Sequence, residues 1–113
     1  MIGRIKEYEI IIAKIPFQER EQGKWRPAFV LKFEDEVVKV LKITTKFQNK
    51  SDYIKQFYFE IRDWLEAGLH EPSWIDTVRA IPIEIEGLKV RFVGYLSKED
   101  EQRLLHFIEG REF

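Results

Sequence analysis

The sequence contains no cysteine, which excludes a disulfide framework, a zinc–thiolate centre and a cysteine nucleophile. Histidine is nearly as scarce. His70 and His106 are the only two, too few for a histidine-rich metal site. Neither sign of charge is in excess: 19 basic residues stand against 20 acidic ones, for a net charge of -1. A strong basic footprint for nucleic acid is therefore absent, and only a local patch remains open. No apolar run approaches a membrane span, and the first residues lack the basic-then-apolar order of a secretory leader. A soluble, cytoplasmic protein without membrane contact is expected. No repeat, linker or low-complexity segment interrupts the chain.

What is present suits one domain spanning residues 1–113. The chain is 44% hydrophobic and 14% aromatic, with nine Phe, enough for a single core in which rings carry much of the packing. Residues 1–6 read as a lead-in. Tyr8 to Ile15 is rich in β-branched residues and predicts a strand, ended by Pro16. A polar connection, Phe17 to Trp25, follows. Arg26 to Phe33 predicts a second strand, Glu34-Asp35 a tight turn, and Glu36 to Thr45 a third strand, together an antiparallel meander. Lys46 to Lys55 reads as a loop, 56–62 as a strand, and 63–67 as a helical turn closed by Gly68. Pro72 to Ile81 predicts another strand, Pro82 to Gly87 an irregular segment, and Val90 to Tyr95 a last strand. Ser97 caps a helix over Lys98–Glu109 that places Leu104, Leu105 and Ile108 on one side and stops at Gly110. The fold class is mostly β with a C-terminal helix, a small bent barrel or SH3-like roll.

No metal-ligand spacing, nucleotide-binding loop or Ser-His-Asp order occurs. The candidate chemistry lies at strand ends. Pro27 biases Arg26 towards extended geometry at a loop-to-strand junction, where a guanidinium can offer a planar fork to phosphate. A meander brings the start of the second strand to the end of the third, so Arg26 should neighbour Thr44 and Thr45. A cation and a hydroxyl together can hold a phosphoryl group whose charge develops during reaction. RNA cleavage by its own 2′-hydroxyl needs such groups plus a proton acceptor and donor, for which Glu21, His70 and Asp76 are the candidates. The bland alternatives are a surface salt bridge for Arg26, ordinary strand propensity for the threonines and a surface turn for His70. Trp25, Trp64 and Trp74 could stack on bases or pack in the core. Lys42, Lys46, Lys50 and Lys55 could form a basic rim or simply solvate an edge.

Four segments in order resemble the MazF/PemK (Kid) family of toxin ribonucleases. Glu21-Gln22-x-x-x-Arg26-Pro27-Ala28-x-Val30-Leu31 is similar to the family's E-Q-x-x-x-R-P segment between the first two strands. Thr44-Thr45-Lys46 resembles its threonine element ending the third strand. Trp74-Ile75-Asp76-Thr77-Val78-Arg79 resembles its D-Q-v-R strand, with Thr77 where Gln is usual. Val93 to Asp100 resembles the closing strand-to-helix junction. The resemblance implies an SH3-like barrel, a homodimer, a small antitoxin whose disordered tail fills the RNA groove, and metal-independent cleavage of single-stranded RNA without a cofactor. It places the catalytic roles on Arg26, Thr44 or Thr45, and Asp76. Glu21, Gln22, Lys46, His70, Trp74 and Arg79 are the expected substrate-binding residues. Two departures stand out: members that use the acid carry an arginine two residues before it, where this chain has Trp74, and the segment from Gln48 to Glu71 diverges from the best-known members. The competing expectation is a non-catalytic barrel that binds a protein partner or nucleic acid.

Overall fold

The isoleucine-rich run Glu9-Ile10-Ile11-Ile12-Ala13-Lys14-Ile15 forms the first strand, β1 (Glu9–Ile15), in the computed structural model, which describes residues 5–15 and 24–113. Strand β2 (Lys24–Glu34) and strand β3 (Val37–Thr44) follow, then a short helix α1 (Asp52–Lys55), strands β4 (Tyr58–Ile61), β5 (Ser73–Asp76), β6 (Ile81–Glu84) and β7 (Val90–Tyr95), and helix α2 (Lys98–Phe107). All recorded pairings are antiparallel, in the order β4-β5-β3-β2-β1-β7, with β6 also on β3.

The mostly β architecture with a C-terminal helix matches the expectation, but the sheet does not close into a barrel. Its two end strands, β4 and β7, are not paired with each other. Helix α2 instead packs beside β4, with Leu104 and Ile108 joining Phe59 and Ile61 in the core. Strand β3 explains the bend. Its first half, Val37 to Val40, pairs with β6, while Ile43 and Thr44 pair with β5 on the same edge. One strand thus feeds two diverging neighbours.

Alternation along the strands gives the sheet two faces with separate cores. Ile10, Phe29, Leu31, Leu41, Ile43, Phe59 and Ile75 lie on the face covered by α2. Ile11, Ala13, Ala28, Val30, Val38 and Val40 lie on the other, covered in part by Ile81, Ile83, Ile85 and Leu88. The cross-strand partners agree: Phe29 faces Leu41, Val30 faces Val40, and Ile43 faces Ile75.

The turn between β4 and β5 ends in a Schellman closure. Leu69 N–H donates to the Trp64 carbonyl and Gly68 N–H to that of Leu65, with Gly68 at φ 94°. The expected closure at Gly68 is therefore present. This turn presses on β7, so a Cβ on Gly94 would run into the Ala67 carbonyl. Gly94→Ala is expected to cost about 1–3 kcal/mol through overpacking against rigid backbone, readable as a lower urea midpoint.

Ser97 caps α2 by accepting from Asp100 N–H at 3.1 Å, and Gly110, at φ 81°, follows the helix end. The same hydroxyl donates to Asp63 at 2.7 Å. Fully buried Asp100 accepts from Asp63 N–H at 2.8 Å and from Arg103 at 2.6 Å. This network ties α2 to the turn after β4.

Several expected boundaries shift. The first hairpin turns at Asp35-Glu36, with Asp35 at φ 53°, because Glu34 still pairs with Val37. The expected loop 46–55 contains α1, capped by the Ser51 hydroxyl. The long strand expected over Pro72–Ile81 is split, and the segment expected to be irregular from Pro82 carries β6. The break is built from side chains: Asp76 accepts from Val78 N–H at 2.9 Å, and buried Thr77 donates to the Phe57 carbonyl at 2.6 Å. Pro82 is tolerated because, among the described residues, β6 pairs with β3 on one edge and leaves the other edge open.

Candidate functional site

Arg26 is the third residue of β2, inside the strand rather than at its junction with the loop. It pairs with Ala13, whose side chain belongs to the second core, so Arg26 projects from that same sheet face. The β2–β3 register runs Ala28 opposite Lys42. The recorded β2–β3 ladder ends at this pair, with Arg26 two residues before Ala28 and Thr44 two residues beyond Lys42, so both lie at the same end of the hairpin and on the same face. Thr44 in turn faces Trp74, and Trp74 faces Glu60. A parallel row on the same face runs from Lys42 to Asp76 and Tyr58. The face that serves as core at Val38 and Val40 becomes polar at Lys42 and Thr44.

The Thr44 hydroxyl accepts from Lys46 N–H at 3.0 Å. That bond fixes the oxygen and leaves its proton available for donation. Thr45 is the first residue beyond β3 and is exposed, as is the Lys46 side chain. Arg26 is half-buried, with its Nε sealed from solvent.

The second row opens onto a cleft of about 330 Å³ bounded by α1, β3, β4 and the β5–β6 link. Lys42, Lys50 and Arg79 supply cations, Ile54, Val78 and Ile81 apolar walls, and Tyr58 and Asp76 the polar floor. The Tyr58 hydroxyl donates to Asp76 at 3.2 Å, and the Lys42 ammonium stands 3.9 Å from the same oxygen. Burial, then the Asp76 charge, then this hydrogen bond push the Tyr58 phenol up to about 12 from its ordinary 10.0. Burial penalises the phenolate, so the folded state keeps the proton more tightly than the unfolded chain does. The resulting stabilisation is full below pH 10 and is lost as pH rises through about 12. Ultraviolet titration of the four tyrosines is expected to show a group ionising near pH 12 that disappears in Tyr58→Phe.

An aromatic stack borders the cleft. Phe47 lies flat on Trp74, with centroids 4.7 Å apart at 3°, and its ring also approaches Tyr58 at 6.3 Å. Lys55 sits 5.0 Å from the Phe47 centroid. Trp74 is therefore already stacked. Trp64 packs against the first core, and Trp25 is exposed with Lys14 over its ring.

The expected site residues thus separate. Arg26, Thr44, Trp74 and Asp76 share one face, and Arg79 lines the cleft. His70 is exposed on the loop before β5 and does not line the cleft. His106 is exposed on α2, 3.4 Å from Glu109. Glu21, Gln22 and most of the connection from Phe17 to Trp25 lie outside the described residues. Phe47 and Tyr58 escaped the sequence reading. Strand alternation could have found Tyr58, because its neighbours Phe59 and Ile61 bracket the opposite face. Nothing in the sequence places Phe47. Among the described residues, no group of three His, Asp or Glu side chains could hold a metal ion, and no helix is long and apolar enough to cross a membrane.

Comparison with protein families matches residues 6–108 to the family described as PemK-like, MazF-like toxin of type II toxin-antitoxin system. Among solved structures, the chain is similar to the Mycobacterium tuberculosis toxin MazF-mt6, at 25% identity and a TM-score of 0.64. The alignment covers 88% of this chain and 91% of that one. Among curated proteins no match is found.

Proposed function

The chain belongs to the PemK-like, MazF-like toxins of type II toxin-antitoxin systems, and on that premise we propose that it is an endoribonuclease that cuts single-stranded RNA through attack of the 2′-hydroxyl on the adjacent phosphorus. The observation that carries this reading is the shared sheet face of Arg26 and Thr44 at one end of the β2–β3 hairpin. As the 2′-oxygen bonds to phosphorus it gives up its proton to solvent water, and negative charge grows on the non-bridging oxygens. The Arg26 fork stabilises that charge and stands ready to protonate the departing 5′-oxygen. Thr44 rather than Thr45 donates to a non-bridging oxygen, because its own oxygen is already held by Lys46 N–H. Breaking the P–O5′ bond leaves a 2′,3′-cyclic phosphate on one fragment and a free 5′-hydroxyl on the other.

None of these steps uses a metal ion. Purified protein incubated with single-stranded RNA in EDTA is expected to yield fragments ending in cyclic phosphate. RNA left intact across varied sequences under those conditions would remove the reading. The toxin family also implies an antitoxin partner, for which the groove over Arg26 and the cleft is the proposed seat. Homodimer formation in the cytoplasm belongs to the same proposal. It is supported by Phe92 and Tyr95, 56% and 48% exposed, on end strand β7.

A further inference from the structure

The cleft beside Arg26 and Thr44 holds a carboxylate that the cleavage chemistry above does not use. The Asp76 side chain is only 17% exposed, yet it lines the open cleft. A carboxylate offers about four acceptor positions. Two are occupied by hydrogen bonds, one on each oxygen: Tyr58 donates to Oδ2 and Val78 N–H to Oδ1, while the Lys42 ammonium stands 3.9 Å from Oδ2, beyond hydrogen-bond distance. One position on each oxygen remains, the pattern that receives two adjacent donors. The group is also held in place. Next to it, Thr77 is gripped by Arg111, whose guanidinium donates to the Thr77 hydroxyl at 2.9 Å and also to the Thr77 carbonyl.

Resting on the ribonuclease reading, we propose that this cleft is a guanine pocket next to the scissile phosphate, with the Asp76 carboxylate accepting from the N1–H and N2 amino group of the base. The surroundings select this ligand. Lys42, Lys50 and Arg79 repel a cationic donor such as a lysine or arginine side chain, and they suit a neutral base attached to phosphates. Uracil presents a single N–H between two acceptors. Adenine and cytosine present an amino group beside a bare ring nitrogen, whose lone pair would face the second carboxylate oxygen. Guanine alone of the four offers two neighbouring donors on the edge that single-stranded RNA exposes. Position fits as well. Lys42 lies two residues from Thr44 on the same face, roughly 7 Å along the strand, within one nucleotide of the phosphate that Arg26 would hold.

The test is a binding measurement on uncleavable ligands. Uridine-flanked 2′-O-methyl pentamers carrying guanosine, inosine, adenosine, cytidine or uridine at the centre are titrated against the full chain by tryptophan fluorescence. The guanosine pentamer is expected to bind about tenfold tighter than the adenosine, cytidine and uridine ones. Inosine, which lacks only the N2 amino group, is expected to fall between. In Asp76→Asn the guanosine advantage is expected to vanish. Equal binding of all pentamers, a tighter fit for another base, or a guanosine advantage that survives Asp76→Asn would each overturn the proposal. Should Asp76→Asn fail to fold, the ratio of guanosine to inosine binding in the unaltered chain decides by itself. RNA left uncut while the guanosine preference holds would remove the ribonuclease reading and support the pocket. RNA cut with no such preference would do the reverse.

Discussion

Arg26→Ala is expected to lower the rate of RNA cleavage by about 10²–10³-fold, the loss typical of removing one donor aimed at developing oxyanion charge. The residue projects from the face that also carries Thr44 and the cleft, and its backbone is fixed by pairing with Ala13 of β1, two residues before Ala28 joins the ladder to β3. Arg26→Lys keeps the charge but loses the planar fork and the fixed angle between two donors, so it should recover only a fraction of the rate. Both variants should be compared by initial rate on a labelled single-stranded RNA and by thermal unfolding. Arg26 is half-buried, so some loss of stability is expected in the alanine variant. A rate loss that merely tracked unfolding at the assay temperature, or full activity in Arg26→Ala, would remove Arg26 from the catalytic role. The same pair of variants separates the enzyme from a non-catalytic domain that only binds. For a binder, expression of the unaltered chain and of Arg26→Ala would be equally harmless to growth.

Asp100→Ala is expected to destabilise the fold by about 3 kcal/mol or more, a large share of the 5–15 kcal/mol that holds a typical domain together. The side chain is fully buried and joins three elements. One oxygen accepts from Asp63 N–H in the turn after β4, the other from Arg103 on α2, and its own N–H bonds to the Ser97 cap. Alanine strands the Asp63 amide and removes the partner of Arg103. Helix α2 then loses its hold on β4, where Phe59 meets Phe107 and Arg103 stacks on Phe59. The melting temperature should fall by about 10 °C or more. Asp100→Asn keeps one carbonyl oxygen as acceptor and should cost less. Equal losses in the two variants would assign the effect to the ion pair with Arg103, and a negligible loss in both would show that α2 docks by its apolar side alone.

These two residues differ in how far they could be read in advance. Asp100 is legible as a first-turn acid after the Ser97 cap, since acids near helix N-termini are favoured by the local dipole and free amides. Its burial and its bond to Asp63 are not legible, because 37 residues separate the partners. Arg26 is legible through Pro27 and the apolar run after it, and its place at the same end of the hairpin as Thr44 follows from local structure. The split role of β3 is another matter. Which of two later strands pairs with which half of β3 depends on the break at Asp76 to Thr77, and that break is made by Asp76 catching Val78 N–H and by Arg111, near the far end of the chain, holding Thr77. A propensity reading sees strand-forming residues on both sides of the break, Trp74 and Ile75 before it and Thr77, Val78 and Ile81 after, and extends one strand through it.

By itself the sequence determined the strand content, the capped C-terminal helix, the stops at Gly68 and Gly110 and the antiparallel hairpin that carries Arg26 and Thr44 at one end. Each of these rests on local chemistry or on contacts between neighbours in the chain. The tertiary structure alone decided that the sheet stays open, with α2 packed against β4, and that Tyr58, Phe47 and Lys50 gather round Asp76. A strand's alternation shows that two faces exist but not which one meets which neighbour. That choice is made by non-local hydrogen bonding and by the packing of two cores on opposite sides of one sheet.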